Sequence, residues 1–249
     1  MTKLKAAGIH LIISFFIVAS VLIIMNLLWY PNAYFTLMGG QRLVLVLASV
    51  DVVLGPLLTF IVFKSGKKYL RFDLFCIAVV QLLALSYGIY VMFESRPVFT
   101  VFNKDKFQIS AVVDISPEEL IKAKNPEWRE FSVTGPELVA IGTPDKKDRK
   151  ESMFANVESP NAYRYPRLYD SYQKHRLEVI KSGKPLALLY KTRIENKIIV
   201  DAFVKKINRP ESAFLFLPIT SELAIMSVIV DAKTGEFIKI IDVTEKTDK

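Results

Sequence analysis

Cysteine is almost missing from this 249-residue chain. The one copy, Cys76, lies inside an apolar run, so no disulfide can form within the chain and redox chemistry leaves the compartment open. Histidine is nearly as scarce: His10 and His175 are the only two, and neither belongs to a group with metal-ligand spacing. Zinc sites of the usual kinds are excluded on that count. No P-loop, no dinucleotide glycine fingerprint and no G-x-S-x-G elbow occurs. His175 stands in Lys-His-Arg, a setting that suits a solvated helix face better than a general base. The expectation is therefore a protein with no catalytic residues, no cofactor and no metal: not an enzyme.

Acids are scarce in the first part of the chain. Residues 1–96 hold eight Lys/Arg against three acids, whereas the remaining 153 residues hold 25 against 22. A nucleic-acid binder should concentrate positive charge in its folded domain. Here the excess sits beside apolar runs, so no nucleic-acid partner is expected.

What the first 96 residues have is hydrophobic length. Gly8–Tyr30 is 23 residues without an acid, Lys or Arg, and about 20 helical residues cross a bilayer core. The run exceeds the roughly 7–15 residues of a signal-peptide core, and no small-x-small cleavage site follows it, so an uncleaved membrane helix is expected. Leu43–Phe63 and Phe72–Phe93 read as two more spans. Lys64, Lys67, Lys68 and Arg71 crowd the turn between them, and Lys3 and Lys5 precede the first span; the first loop offers only Arg42. The positive-inside rule then puts the N-terminus and that turn in the cytoplasm and residue 97 onward in the periplasm. The domains read as 1–96, in the bilayer, and 97–249, beyond it. The short cytoplasmic segments leave no room for a kinase, nucleotide-binding or DNA-binding output.

Asp51 is the outlier among the apolar residues. An acid deep in a membrane helix costs about 2.5–3.5 kcal/mol on insertion scales, so it normally faces a partner or a wet cavity. The depths of the three helices place it level with Ser20–Asn26 and Gln81–Tyr87. Three roles fit: a hydrogen-bonded acid tying the helices together, a docking point for a partner's membrane segment, or part of an ion path. A lone ionisable group makes the last a poor relay. Gly55-Pro56 follows one turn later, where a mid-helix proline predicts a kink or local unwinding. Asp51 and Gly55 share a face, combining a polar group with a notch for close helix approach. His10 and Asp73 both fall near the cytoplasmic boundary, where they could pair.

Beyond residue 97 the pattern predicts an α+β domain with an antiparallel sheet. Pro97–Ile115 reads as a hairpin. Ser116 caps a helix that begins at Pro117. Glu137–Gly142 reads as a short strand, and charge-rich Thr143–Pro160 as an exposed loop. A helix is expected over Arg167–Lys181, with Leu168, Tyr172, Leu177 and Ile180 along one face. Tyr165, Tyr169 and Tyr172 suit recognition, since tyrosine offers broad contact with a polar tip; they suit packing of a helix onto a sheet equally well. FLFLPI, LAIMSVIVD, the turn AKTG and EFIKIIDV give strand, strand, hairpin turn and strand.

Several segments together resemble the TfpX/TfpZ family of type IV pilin accessory proteins: KAAGIHLIIS, WYPNAYFTLMGG, VDVVLGPLLTFIVFKSGKKYLRFDL, QLLALSYGIYVMFESRPVFTVF and VIVDAKTGEFIKII. The resemblance covers the whole chain, most strongly residues 5–102 and 226–241, and contains no catalytic signature. It implies an inner-membrane protein that assists the stability or assembly of a major pilin, the expected partner. The residues themselves leave two rivals, a periplasmic sensor subunit and a membrane-embedded pilin-modifying enzyme.

Overall fold

The computed structural model describes residues 2–142, 160–191 and 193–243. All of the Thr143–Pro160 loop except Pro160 lies outside the described residues. Three helices are long and apolar enough to cross a membrane: Lys3–Leu28, Gly40–Val62 and Leu70–Glu94. The first, α1 (Lys3–Leu28), starts at Thr2, whose hydroxyl accepts the Lys5 N–H at 3.3 Å. It is apolar around its circumference, with Ile12, Phe16, Ile23 and Leu27 all exposed, as expected where the surroundings are lipid.

A one-turn helix, α2 (Tyr34–Leu37), leads into the second span. That span comprises α3 (Gly40–Ala48), a π-helical segment Ser49–Leu54, and α4 (Gly55–Val62). The unwinding expected at Pro56 thus takes the form of a π segment. α5 (Leu70–Glu94) completes the set. α1 and α5 each pack chiefly on the second span. The turn before α5 is tied by an ion pair between Lys67 and Asp73 at 2.6 Å.

Among the described residues after α5, one eight-stranded sheet is formed. Its strands are β1 (Pro97–Asn103), β2 (Lys106–Ala111), β3 (Glu137–Ile141), β4 (Tyr169–Ser171), β5 (Lys184–Pro185), β6 (Phe214–Thr220), β7 (Ile225–Asp231) and β8 (Phe237–Ile241). The order is β4-β3-β1-β2-β6-β7-β8, with β5 also pairing β6. The sheet is mixed, not antiparallel: β1 pairs β3 in parallel, and β2 pairs β6 in parallel. The local hairpins β1-β2 and β6-β7-β8 are antiparallel as expected. The parallel pairs join strands separated by long connections, the kind that parallel pairing requires and local patterning does not reveal. They put the β1-β2 hairpin in the sheet's middle, and every residue of β1 is buried.

The expected helix over Arg167–Lys181 begins later. Tyr169–Ser171 pairs with Val139–Ile141 as an edge strand, and only then does α7 (Tyr172–Ser182) start. Of the expected face, Leu168 and Tyr172 are buried and Ile180 is half-buried, while Leu177 is exposed and Val179 points inward in its place. Ser116 caps as expected, accepting the Glu119 N–H at 3.3 Å, but α6 (Pro117–Leu120) is a single turn. α8 (Ala187–Lys191) and α9 (Asn196–Ile207) are the last two α-helices among the described residues.

Alternation along the strands divides the interior. Phe102, Phe107, Leu217, Val228 and Val230 face α7. On the other side Phe99, Val101 and Val139 meet Trp128 and Leu168, and Phe214, Phe216 and Ile229 meet α8 and α9. The first core also takes in Leu37, wholly buried, with Tyr34 and Met38 against it. The loop after α1 is therefore part of the sheet domain's interior. Two hydrogen bonds fix it there, from Ser221 Oγ to the Leu37 carbonyl at 2.6 Å and between the Tyr34 and Thr100 hydroxyls at 2.7 Å. Burial raises the Tyr34 hydroxyl to about 12, against the opposing pull of Thr100.

At the same junction, the Tyr30 hydroxyl donates to the Met92 carbonyl at 2.6 Å. Buried Arg96 donates from Nη1 to the Phe93 carbonyl at 2.6 Å and from Nε to the Ser132 carbonyl at 3.2 Å. Its guanidinium lies 3.7 Å from the Phe93 ring centroid. The segment after α1, with α2, and the end of α5 thus meet the domain together.

Candidate functional site

Asp51 sits at the middle of the second span, eleven residues from Gly40 and eleven from Val62. A backbone problem is solved beside it. In the π segment the Gly55 N–H bonds to the Val50 carbonyl, so it is not available to Asp51. A π-type partner for the Asp51 carbonyl would be residue 56, which is proline and has no N–H. The carbonyl instead accepts from Gln81 Nε2 of α5 at 3.2 Å. Gly55 makes room for that amide, because a Cβ there would lie 2.0 Å from Gln81 Nε2. Gly55 and Pro56 are both buried against the helix interior. The notch they form is filled by this chain's own Gln81.

The Asp51 side chain is a separate matter. It is 4% exposed, and neither carboxylate oxygen has a hydrogen-bond partner among the described residues. The hydrogen bond of full geometry to α5 is made by its carbonyl, while its carboxyl faces the same Gln81 amide without closing one. Two clefts meet at Asp51. One, of about 250 Å³ between α3 and α5, is walled largely by Leu43, Val46, Leu47 and Val91. The other, of about 230 Å³ between α1 and α5, brings His10, Ser14 and Gln81 beside Asp51.

His10 does not pair with Asp73. Its Nδ1 lies 2.5 Å from Thr59 Oγ1 of α4, because seven residues of helix carry it away from the turn where Asp73 meets Lys67. A third cleft, of about 320 Å³, lies at the junction with the domain and includes Arg42, Asp114 and Glu222. Arg164 reaches Glu222 at 2.6 Å and Asp114 at 3.3 Å. Burial nevertheless raises the Asp114 carboxyl above the usual carboxylate range.

The tyrosines divide. Tyr169 and Tyr172 are interior residues, 1% and 2% exposed. The Tyr169 hydroxyl donates to the Tyr163 carbonyl, and that of Tyr172 donates to the Gly235 carbonyl at 2.7 Å. Their rings meet Phe99 and Phe107. Recognition through these two as surface tyrosines is thereby corrected: their polar tips are spent inside the domain, as buried hydroxyls require. Tyr165 is half-buried, with the Arg167 guanidinium 5.4 Å from its ring centroid. Among the described residues, no group of three or more His, Cys, Asp or Glu side chains is placed to hold a metal ion.

Sequence reasoning gave Gln81 only a depth, and it missed Ser14 and Leu37. An amide within an apolar span was a usable signal for Gln81. A serine and a leucine in their respective runs carried none.

The family model described as fimbrial assembly protein FimB matches residues 1–39. The fimbrial assembly protein of serogroup E1 from Dichelobacter nodosus is 30% identical over 230 residues, covering 91% of this chain and 89% of that protein. The chain belongs to the fimbrial assembly protein family. The serogroup I relative from the same organism is 29% identical over the same shares. That of serogroups C1 and C2 is 36% identical over 121 residues, 48% of this chain and 92% of that protein. No solved structure is similar to it. Family membership assigns the chain to pilus assembly, and its three apolar helices fit a transmembrane protein of that system.

Proposed function

We propose that this chain is a non-enzymatic accessory protein of the bacterial inner membrane that holds a type IV pilin and stabilises it for assembly. In this reading the N-terminus and the Lys64–Lys68 turn are cytoplasmic, and the sheet domain is periplasmic. The sequence resemblance to TfpX/TfpZ pilin accessory proteins supports pilin as the partner, and the fimbrial assembly relatives support the pathway.

The observation that carries the proposal is the seating of the domain. Leu37 lies in its core and Ser221 grips the Leu37 carbonyl, so helices and domain present one continuous surface. A subunit with both a membrane helix and an external head would meet that surface along its whole height. Asp51, with Tyr165 above the membrane, are the contact residues proposed; Gly55 and Pro56 shape the helix that presents Asp51.

Deletion of the chain tests this. Pilin level and fimbria number should fall, and replacing only the major pilin by a distant one should weaken rescue by the restored gene. Normal fimbriation without the protein overturns the proposal.

A further inference from the structure

The two clefts that meet at Asp51 are not equivalent. Between α3 and α5 the walls are leucine, valine, alanine and methionine around Gly88, with Tyr87 the one other polar side chain beside Asp51, surfaces that lipid tails can largely cover. Between α1 and α5 the cleft gathers His10, Ser14 and Gln81 beside the acid. Polar groups bordering a lateral opening in the hydrocarbon region are costly unless something satisfies them. Lipid tails carry no donor, and the Asp51 oxygens find none among the described residues. The rim of the same cleft is apolar and open: Ile13 is 54% exposed and Leu82 58%.

We infer that the α1/α5 cleft is a docking site for one membrane-crossing helix of a partner, which rests on the Ile13–Leu82 rim and points a single hydrogen-bond donor or cation at Asp51. The cleft's volume of about 230 Å³ suits an inserted side chain and not a whole helix, so the partner lies across its mouth. Complementarity of charge fixes the chemistry. An unpaired acid selects an amine, amide or hydroxyl, and the apolar rim selects the helix that carries it. The occupant is the membrane helix of the pilin, so the inference rests on the proposed function and adds where and by what group the subunit is held.

The test uses the full-length protein in native membranes, with a photo-crosslinking residue at Ile13 or Leu82 on this cleft, or at Val46 or Tyr87 on the other. Pilin adducts are expected at Ile13 and Leu82 and not at Val46 or Tyr87. Ala78→Trp, on the exposed side of α5, should close the mouth and remove the Ile13 adduct, while Ala84→Trp in the α3/α5 cleft should leave it. Asp51→Leu should lower co-purified pilin roughly three- to fifteen-fold at equal abundance of the protein, the range of a single hydrogen bond between membrane helices.

Pilin that co-purifies but crosslinks only from Val46, Tyr87 or the sheet domain overturns the inference and leaves the proposed function standing. So does an Ile13 adduct with lipid alone or with a second copy of this chain. Pilin that never co-purifies removes both.

Discussion

Gln81 Nε2 donates to the Asp51 carbonyl across 3.2 Å, and that bond replaces the one Pro56 cannot make. Proline, glycine and glutamine act as a unit here. Proline removes a donor, the π turn diverts the Gly55 N–H, glycine leaves the space, and the amide of another helix fills it.

Removing the amide should therefore cost stability by leaving the Asp51 carbonyl without its donor. Gln81→Leu leaves a carbonyl unsatisfied in an apolar setting, for about 1–2 kcal/mol. Gly55→Ala should do similar harm by expelling the amide, since its Cβ would lie 2.0 Å from Nε2. The double variant should be little worse than either single one. Thermal unfolding of the purified protein in detergent reads all three, and full additivity would show that the two residues act separately.

Leu37 belongs by sequence to the membrane region and by packing to the sheet domain, where it is 0% exposed. Leu37→Ala should destabilise the sheet domain by about 2–5 kcal/mol, the cost of emptying a buried leucine site. A fragment beginning at residue 97 should fail to fold as a stable monomer, and adding a peptide of residues 29–39 should restore part of its structure. Cooperative unfolding of the bare fragment, followed by circular dichroism, would refute this.

Asp231 closes the turn between β7 and β8. Its Oδ1 accepts the Lys233 and Thr234 N–H groups at 2.8 Å each, and Oδ2 meets Arg209 at 2.8 Å. Burial opposes its charge, but the Thr234 N–H, Arg209 and the Lys233 N–H outweigh burial and bring the carboxyl from 3.8 down to about 2. A depressed acid stabilises the fold above its unfolded value, and the benefit is lost as pH falls through the folded one. Asp231→Asn should therefore cost up to about 2 kcal/mol at neutral pH. The gap to wild type should narrow from pH 4 downward and close near pH 2. A gap independent of pH would assign the effect to turn geometry alone.

The proposed orientation has its own readout. A reporter active only in the periplasm should work when fused after Lys249 and stay silent when placed within Ser65–Lys68. The opposite pattern would reverse the whole arrangement.

Much of this was legible in the residues. Long apolar runs gave the three long apolar helices to within a few residues, and AKTG between alternating strands gave the last hairpin. Pro56 announced the unwinding near Asp51, although no local rule said that Gln81 would repair it. What could not be read was long-range pairing. The contacts that put β3 beside β1 and β6 beside β2 join segments far apart in sequence, and their parallel sense leaves no periodic trace. Tyr169 and Tyr172 show the same limit: composition left recognition and packing equally open, and only the β3-β4 pairing, with α7 starting directly after it, turns those rings inward.

Because the Leu37 loop is translated long before the strands that enclose it, the chain carries a check on its own assembly. In the proposed orientation, the sheet domain can close only around a loop that has reached the same side of the bilayer. A molecule inserted with α1 the wrong way round would strand that loop across the membrane and leave a leucine-sized hole in the domain. Such a molecule would stay partly open, exposing to proteases a core that correctly inserted chains conceal. Native folding of the domain is in this sense a receipt for correct threading.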